Sequence, residues 1–292
     1  MSLYSIHVLE YAYTVDFPKG GLVYGDHNSG TEKLPYGYVL IKGQGVCALV
    51  DVGFNHVDHA AEMAEAYAIV NWRSANQVLS ECDVHPDDVT HVFITHAHFD
   101  HMGGIDLFRN AKFYIQEQEL SEWVWMLSLE KRFRWLLSAI DPSDILRVVD
   151  LARQGRLVSV RGPMEDVLPG IDLMPAYDSH TPGSQYVIVR NDGKRNSEDV
   201  WALVGDLVYK YENLFGSDKE DPEYRPVGYA QGSQINIVMA YEEIMKAVGG
   251  DYTRVIPVHE SRLKDVFPSR VSKEGLTLVE VTLADDAISR VH

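Results

Sequence analysis

Four side chains able to bind a metal fall within six positions: His96, His98, Asp100 and His101, in the run His96-Ala97-His98-Phe99-Asp100-His101. Imidazole nitrogen and carboxylate oxygen are ligands for zinc and similar divalent cations. The run begins where the apolar residues Val92, Phe93 and Ile94 end, and ligand sites in α/β sheets collect beyond the carboxyl ends of strands. Gly103 and Gly104 then permit a tight turn toward a helix. Taken alone, the cluster could also be a histidine-rich polar loop. Four residues cannot complete two coordination spheres, so further ligands are expected elsewhere. Apolar runs also end in a ligand-type residue at Asp51, at Gly205-Asp206 and at His259, and His180 opens the loop His180-Thr181-Pro182-Gly183. These recurrences are expected to converge at one sheet edge.

The elements that must position these residues follow from periodicity. Residues 4–13, 36–42 and 46–50 read as strands, separated by Gly- and Pro-containing segments. Residues 59–70 and 75–82 read as helices, rich in Ala, Glu and Met in the first case. Strands are expected at 91–95, 112–115, 157–160, 171–174, 185–190, 200–204, 254–258 and 277–283. Residues 117–153 read as helical, with Trp123, Trp125, Phe133 and Trp135, and Pro142 starts a new helix. A helix at 234–248 ends at Gly249-Gly250. Each half is strand-rich with helices at its end. This suits two sheets packed face to face with helices outside, in a single domain spanning residues 1–292 with two similar halves.

Composition bounds the function. The 292 residues are 46% hydrophobic and 24% charged, ordinary for a globular protein. A formal net charge of −17 argues against nucleic acid, whose phosphates need clustered Lys and Arg. Two cysteines, Cys47 and Cys82, lie in apolar or amphipathic stretches and are expected as free thiols. No signal peptide and no membrane span is evident, so a cytoplasmic enzyme without membrane contact is expected.

With these motifs in hand, the chain resembles the metallo-β-lactamase superfamily. The HxHxDH motif stands at His96 to His101, and the later ligands match His180, Asp206 and His259 in order. The resemblance implies an α/β fold of the αββα four-layer sandwich type and a dinuclear centre. One metal would be held by His96, His98 and His180, the other by Asp100, His101 and His259, with Asp206 bridging. Zinc fits these ligands best, and manganese, cobalt and iron are alternatives. Within the superfamily the chain most resembles the quorum-quenching N-acyl-homoserine lactonases, through HAHFDHMGG, HTPG and a tyrosine, Tyr209, three residues after Asp206. The implied reaction is opening of a lactone ring by a metal-bridging hydroxide. Tyr209 would polarise the carbonyl and Asp100 relay the proton. Ser179, Ser184 and Val258 depart from the family's usual residues beside the ligands.

Alternatives remain open at this level. A glyoxalase II-like thioesterase, another ester or cyclic-amide hydrolase, an iron-dependent oxidoreductase and a non-catalytic metal-binding protein share the motif. Tyr209 is either a carbonyl donor or a packed pocket residue. Asp51 is either a brace for the metal loop or a strand-end cap. Glu260 is expected to orient His259. His56, His59, His85 and His91 lack matching partners and read as surface or structural, and His27 lies in the loop Gly25-Asp26-His27-Asn28, which is either a surface loop or one that reaches the pocket rim. The Trp-rich segment 117–153 would cap the site, form a homodimer face or simply pack as an amphipathic helix.

Overall fold

The computed structural model of the protein describes residues 2–291. In chain order its strands are β1 (Ser5–Pro18), β2 (Thr31–Gly43), β3 (Val46–Val50), β4 (Ile69–Val70), β5 (His91–Phe93), β6 (Lys112–Gln116), β7 (Leu157–Val160), β8 (Met164–Leu168), β9 (Ile171–Pro175), β10 (Gln185–Arg190), β11 (Val200–Leu203), β12 (Val255–Ile256), β13 (Ser269–Val271) and β14 (Thr277–Thr282). One sheet runs β13-β14-β1-β2-β3-β5-β6-β7, with β4 pairing β1, and the other runs β12-β11-β10-β9-β8.

The alternation of the strands explains why the sheets face each other. Ile6 and Val8 of β1, Val39 and Ile41 of β2, and Ala48 and Val50 of β3 pack against Leu173, Val187, Val189 and Leu203 of the second sheet. The intervening residues face outward and are covered by helices. Leu40, Leu49 and Val92 lie in a core that includes Val78 and Leu79 of the helix Ala75–Ser80, and Ile188 and Ala202 share it with Ile237, Tyr241 and Ile244 of the helix Gln234–Ala247. Burial on both faces makes β10 buried along its whole length, as its unbroken apolar core Tyr186 to Val189 requires. The result is the four-layer αββα sandwich expected from the sequence.

Parallel neighbours need crossovers. β3, β5, β6 and β7 are parallel in sequence, and β11 pairs β12 in parallel across the helix Gln234–Ala247. Each parallel strand therefore ends on the same edge of the molecule. Asp51 follows β3, His96 follows β5, Asp206 follows β11 and His259 follows β12.

Three local departures from expectation have physical causes. The helix expected at 59–70 is Asp58–Ala66; Ala68 takes a left-handed φ of 52°, which ends it, and Ile69–Val70 pairs with β1. The segment 117–153 breaks into the helix Glu117–Leu127, a 3-10 stretch Lys131–Leu137 and the helix Pro142–Arg153. Asp141 caps the last of these by accepting from Ser143 N at 2.9 Å. Strand β8 was not expected, because Met164-Glu165-Asp166-Val167-Leu168 carries two acids and an exposed face. Cys47 and Cys82 are free thiols. No helix among the described residues is long and apolar enough to cross a membrane.

Candidate active site

The structure brings together all seven ligand-type residues, each buried, at the shared edge of the two sheets. His96, His98, His180 and Asp206 place one donor atom each within 4.8 Å of the others, and Asp100, His101 and His259 do the same. Asp206 faces both groups. Its Oδ2 lies 3.7 Å from His96 Nε2 and 3.4 Å from His180 Nε2, while its Oδ1 lies 2.9 Å from His101 Nε2 and 3.0 Å from His259 Nε2. Asp100 Oδ2 is 3.4 Å from His101 Nε2 and 3.7 Å from His259 Nε2.

The remaining ring nitrogens show how each imidazole is aimed. Asp51, at a left-handed φ of 64°, accepts from Thr95 N at 2.7 Å and from Thr95 Oγ1 at 2.8 Å. Its Oδ2 also accepts from His101 Nδ1 at 2.7 Å. The Thr95 hydroxyl has one hydrogen, given to Asp51, so it accepts from His96 Nδ1 at 2.9 Å. His259 Nδ1 donates to Pro35 O at 2.6 Å, and His98 Nε2 donates to Gln231 Oε1 at 2.9 Å. These bonds leave His96 Nε2, His101 Nε2 and His259 Nε2 without a hydrogen-bond partner, and His98 Nδ1 faces His180 Nε2 at 3.1 Å. Asp51 thus both braces the loop and orients a ligand-type histidine. Glu260 does not orient His259: its carboxylate instead accepts from Tyr211 N, Arg262 and Lys210.

Glu119 is a second organiser, and it gave no sequence signal. Its buried carboxylate accepts from Ala97 N at 2.7 Å and Trp123 Nε1 at 2.8 Å. It also accepts from Thr181 Oγ1 at 2.8 Å and Gly183 N at 2.6 Å. One side chain therefore ties the loop of His96 and His98 to the loop of His180. The approach is so close that a Cβ on Gly183 would lie 2.1 Å from Glu119 N, which only glycine avoids. The departing residues serve packing and loop closure. Ser184 Oγ accepts from Thr181 N at 3.0 Å, Ser179 Oγ donates to Ala176 O, and Val258 sits in the core between the sheets.

A divalent metal fits this donor set. His96 Nε2, His101 Nε2, His259 Nε2 and Asp206 Oδ1 are buried without a hydrogen-bonding partner, an expensive arrangement unless something pairs with them. The separations between carboxylate oxygens and imidazole nitrogens, 2.9 to 3.7 Å, bracket the edge of a tetrahedron around an ion with bonds of about 2.0–2.1 Å, which is about 3.3–3.4 Å. Electrostatics divide the donors: burial opposes protonation of His101 and His259, yet Asp206 and Asp100 outweigh it and hold both above their ordinary value, a positive charge that a bound metal would replace. Burial, reinforced by His101 and His98, holds the His96 imidazole well below its ordinary value. Burial brings His98 down to about 3. Neutral rings are the ligand form. Burial opposes ionisation of Asp206, yet His101 and His259 outweigh it and hold its carboxyl well below the usual carboxylate range.

Tyr209 Oη donates to Asp206 Oδ2 at 2.6 Å, and its ring stacks on His259 at 5.0 Å between centroids. Burial, then the Asp206 charge, pushes its phenol well above the ordinary value, so it stays a donor. A cavity of about 50 Å³ opens beside it, lined by Phe17, Tyr36, Tyr67, Phe99 and Tyr229 and by the acidic Asp100 and Asp206. Of the other histidines, His27, His56, His59 and His85 are exposed, His91 is half-buried, and none joins the cluster.

The metallo-beta-lactamase superfamily model matches residues 36–257. No curated protein matches the chain. Among solved structures, a quorum-quenching N-acyl homoserine lactone lactonase is 18% identical, covers 91% of this chain and 96% of its own, and superposes with a TM-score of 0.62. A dizinc quorum-quenching lactonase in complex with a product is 17% identical, with coverages of 98% and 97% and a TM-score of 0.58. A probable metal-dependent hydrolase from Staphylococcus aureus is 16% identical, with coverages of 89% and 91% and a TM-score of 0.63. At these identities the likeness establishes the fold. With the family model covering most of the sandwich and six of the seven donor residues, all but His259, the chain belongs to the metallo-beta-lactamase superfamily.

Proposed function

We propose that the protein is a metal-dependent hydrolase that opens a small neutral lactone, of the N-acyl-homoserine lactone kind. The observation that carries the reading is Asp206, whose two oxygens face two separate groups of buried donors while the Tyr209 hydroxyl donates to it. His96, His98 and His180 would hold one ion, Asp100, His101 and His259 the other, and Asp206 would bridge. Two divalent ions so held would supply hydroxide near neutral pH and polarise a carbonyl. Tyr209, kept protonated, would turn its one hydrogen from Asp206 to an oxygen on which negative charge develops. Asp100 lies at the cavity wall and would carry the proton to the leaving alkoxide. The aromatic wall excludes water and offers apolar contact to an acyl chain.

One feature favours a lactone over a glutathione thioester. Among the described residues, no Lys or Arg lines the cavity. The carboxylates of a glutathione thioester would find no side-chain cation there, and a neutral ester needs none. The two dizinc or lactone-hydrolysing neighbours share this fold, which supports the same class. The test is a panel of lactones, thioesters and cyclic amides assayed on metal-replete protein. Selective lactone turnover is expected. Turnover of glutathione thioesters with lactones left intact would replace the reading.

A further inference from the structure

We propose that the surface carrying Trp125, Phe133 and Trp135 is the contact face for a second copy of this chain, in a two-fold symmetric dimer. These three rings are 53%, 41% and 64% exposed. They are not spare core residues. Trp123, two positions before Trp125, already fills the inner face of the helix Glu117–Leu127, fully buried and bonded to Glu119. That helix packs on the 3-10 stretch Lys131–Leu137, so the three exposed rings belong to two neighbouring elements. Every residue from Glu130 to Trp135 is exposed. Soluble chains rarely leave aromatic residues so clustered in water unless something covers them.

Charge identifies the covering partner. The segment contains Lys131, Arg132 and Arg134 within a chain of net charge −17. Arg132 pairs with Glu130 at 3.1 Å. Lys131, Arg134 and the nearby Glu122 form no ion pair among the described residues. A two-fold contact lays a patch on itself, so the patch must carry both signs. This one does, with Lys131 and Arg134 on the 3-10 stretch and Glu122 on the helix that packs against it. Tryptophan, phenylalanine and arginine are also the residues that dominate buried interface centres. An anionic lipid surface fits less well, because the rest of the chain would be repelled from it. The same segment runs on into the active-site wall. Ser138 Oγ lies 2.5 Å from the Tyr229 hydroxyl, and Ala139, which lines the cavity, accepts from Phe99 N at 2.9 Å. Dimer formation would hold that wall in place.

Sedimentation velocity of the full chain across micromolar concentrations tests the proposal. A dimer is expected. Trp135→Glu and, separately, Arg134→Glu should raise its dissociation constant about thirtyfold or more, the effect of losing an interface hot spot. Both positions are exposed, so the thermal midpoint should hold, and Arg134→Glu keeps the test valid if Trp135→Glu folds poorly. Combining Arg134→Glu with Glu122→Arg should recover part of the loss. A wild-type monomer throughout overturns the proposal. So does a dimer indifferent to both variants, or a monomer that co-sediments with vesicles of acidic phospholipid.

Discussion

At the scale of single residues, the site separates ligand-type side chains from those that aim them. In the proposed reaction Tyr209 donates to the developing oxyanion. Tyr209→Phe keeps the ring stacked on His259 and removes the hydroxyl, so turnover should fall about a hundredfold. Metal content should stay unchanged, as measured by elemental analysis. Undiminished turnover would make Tyr209 a packing residue. Glu119 acts through the loops it joins. Glu119→Gln sets an amide against four donors, so metal affinity should weaken about 10- to 100-fold, the usual effect of losing a ligand's support. A competition titration with a chelator reads that directly, and an unchanged affinity would reduce Glu119 to a structural tie.

Most of the ligand-type positions were legible in the sequence because each follows an apolar strand, as His96 follows β5 and Asp206 follows β11. Their supports were less legible. Thr95 stands beside His96 and was within reach, but Glu119, Gln231 and the Pro35 carbonyl come from distant segments with no pattern of their own. Glu260 shows the opposite error, since adjacency to His259 does not place its carboxylate on the ring.

At the scale of elements, β10 follows from its continuous apolar run and the helix Gln234–Ala247 from its composition and its Gly249-Gly250 end, whereas segment 117–153 follows only in part. Pro142 marks its second break, at residues 138–141, as expected, whereas its helical composition hides the first, at 128–130, which tertiary packing decides. The last helix there carries a titratable strain. Asp144 is buried, with Oδ2 unpartnered and Arg147 on Oδ1. Burial, with Asp141 adding, pushes its carboxyl up to about 7. A folded-state value above the unfolded one means that the folded state holds this proton more tightly. Its contribution is full below about pH 4 and is lost as pH rises toward 7. At about 1.4 kcal/mol per pH unit, the loss is on the order of 4 kcal/mol. Asp144→Asn should therefore stabilise the protein at pH 8 and change little at pH 4, by urea denaturation at both pH values. Equal effects at the two values would contradict this.

At the scale of the whole molecule, the site joins the two sheets. His96, His98, Asp100 and His101 follow the first sheet, and His180, Asp206 and His259 belong to the second. Ions held there would link both halves, so chelation should lower the midpoint of global unfolding by several degrees rather than loosen one loop. Differential scanning calorimetry with and without chelator measures that shift. The central claim, a pair of metals bridged by Asp206 that drives hydrolysis, has a more direct test. It is the metal content of the purified chain, determined together with lactone turnover before stripping, after stripping and after metal is restored. The account predicts about two ions per chain, loss of turnover on stripping, recovery on reloading and no recovery in Asp206→Ala. Full turnover by the metal-free protein would contradict it.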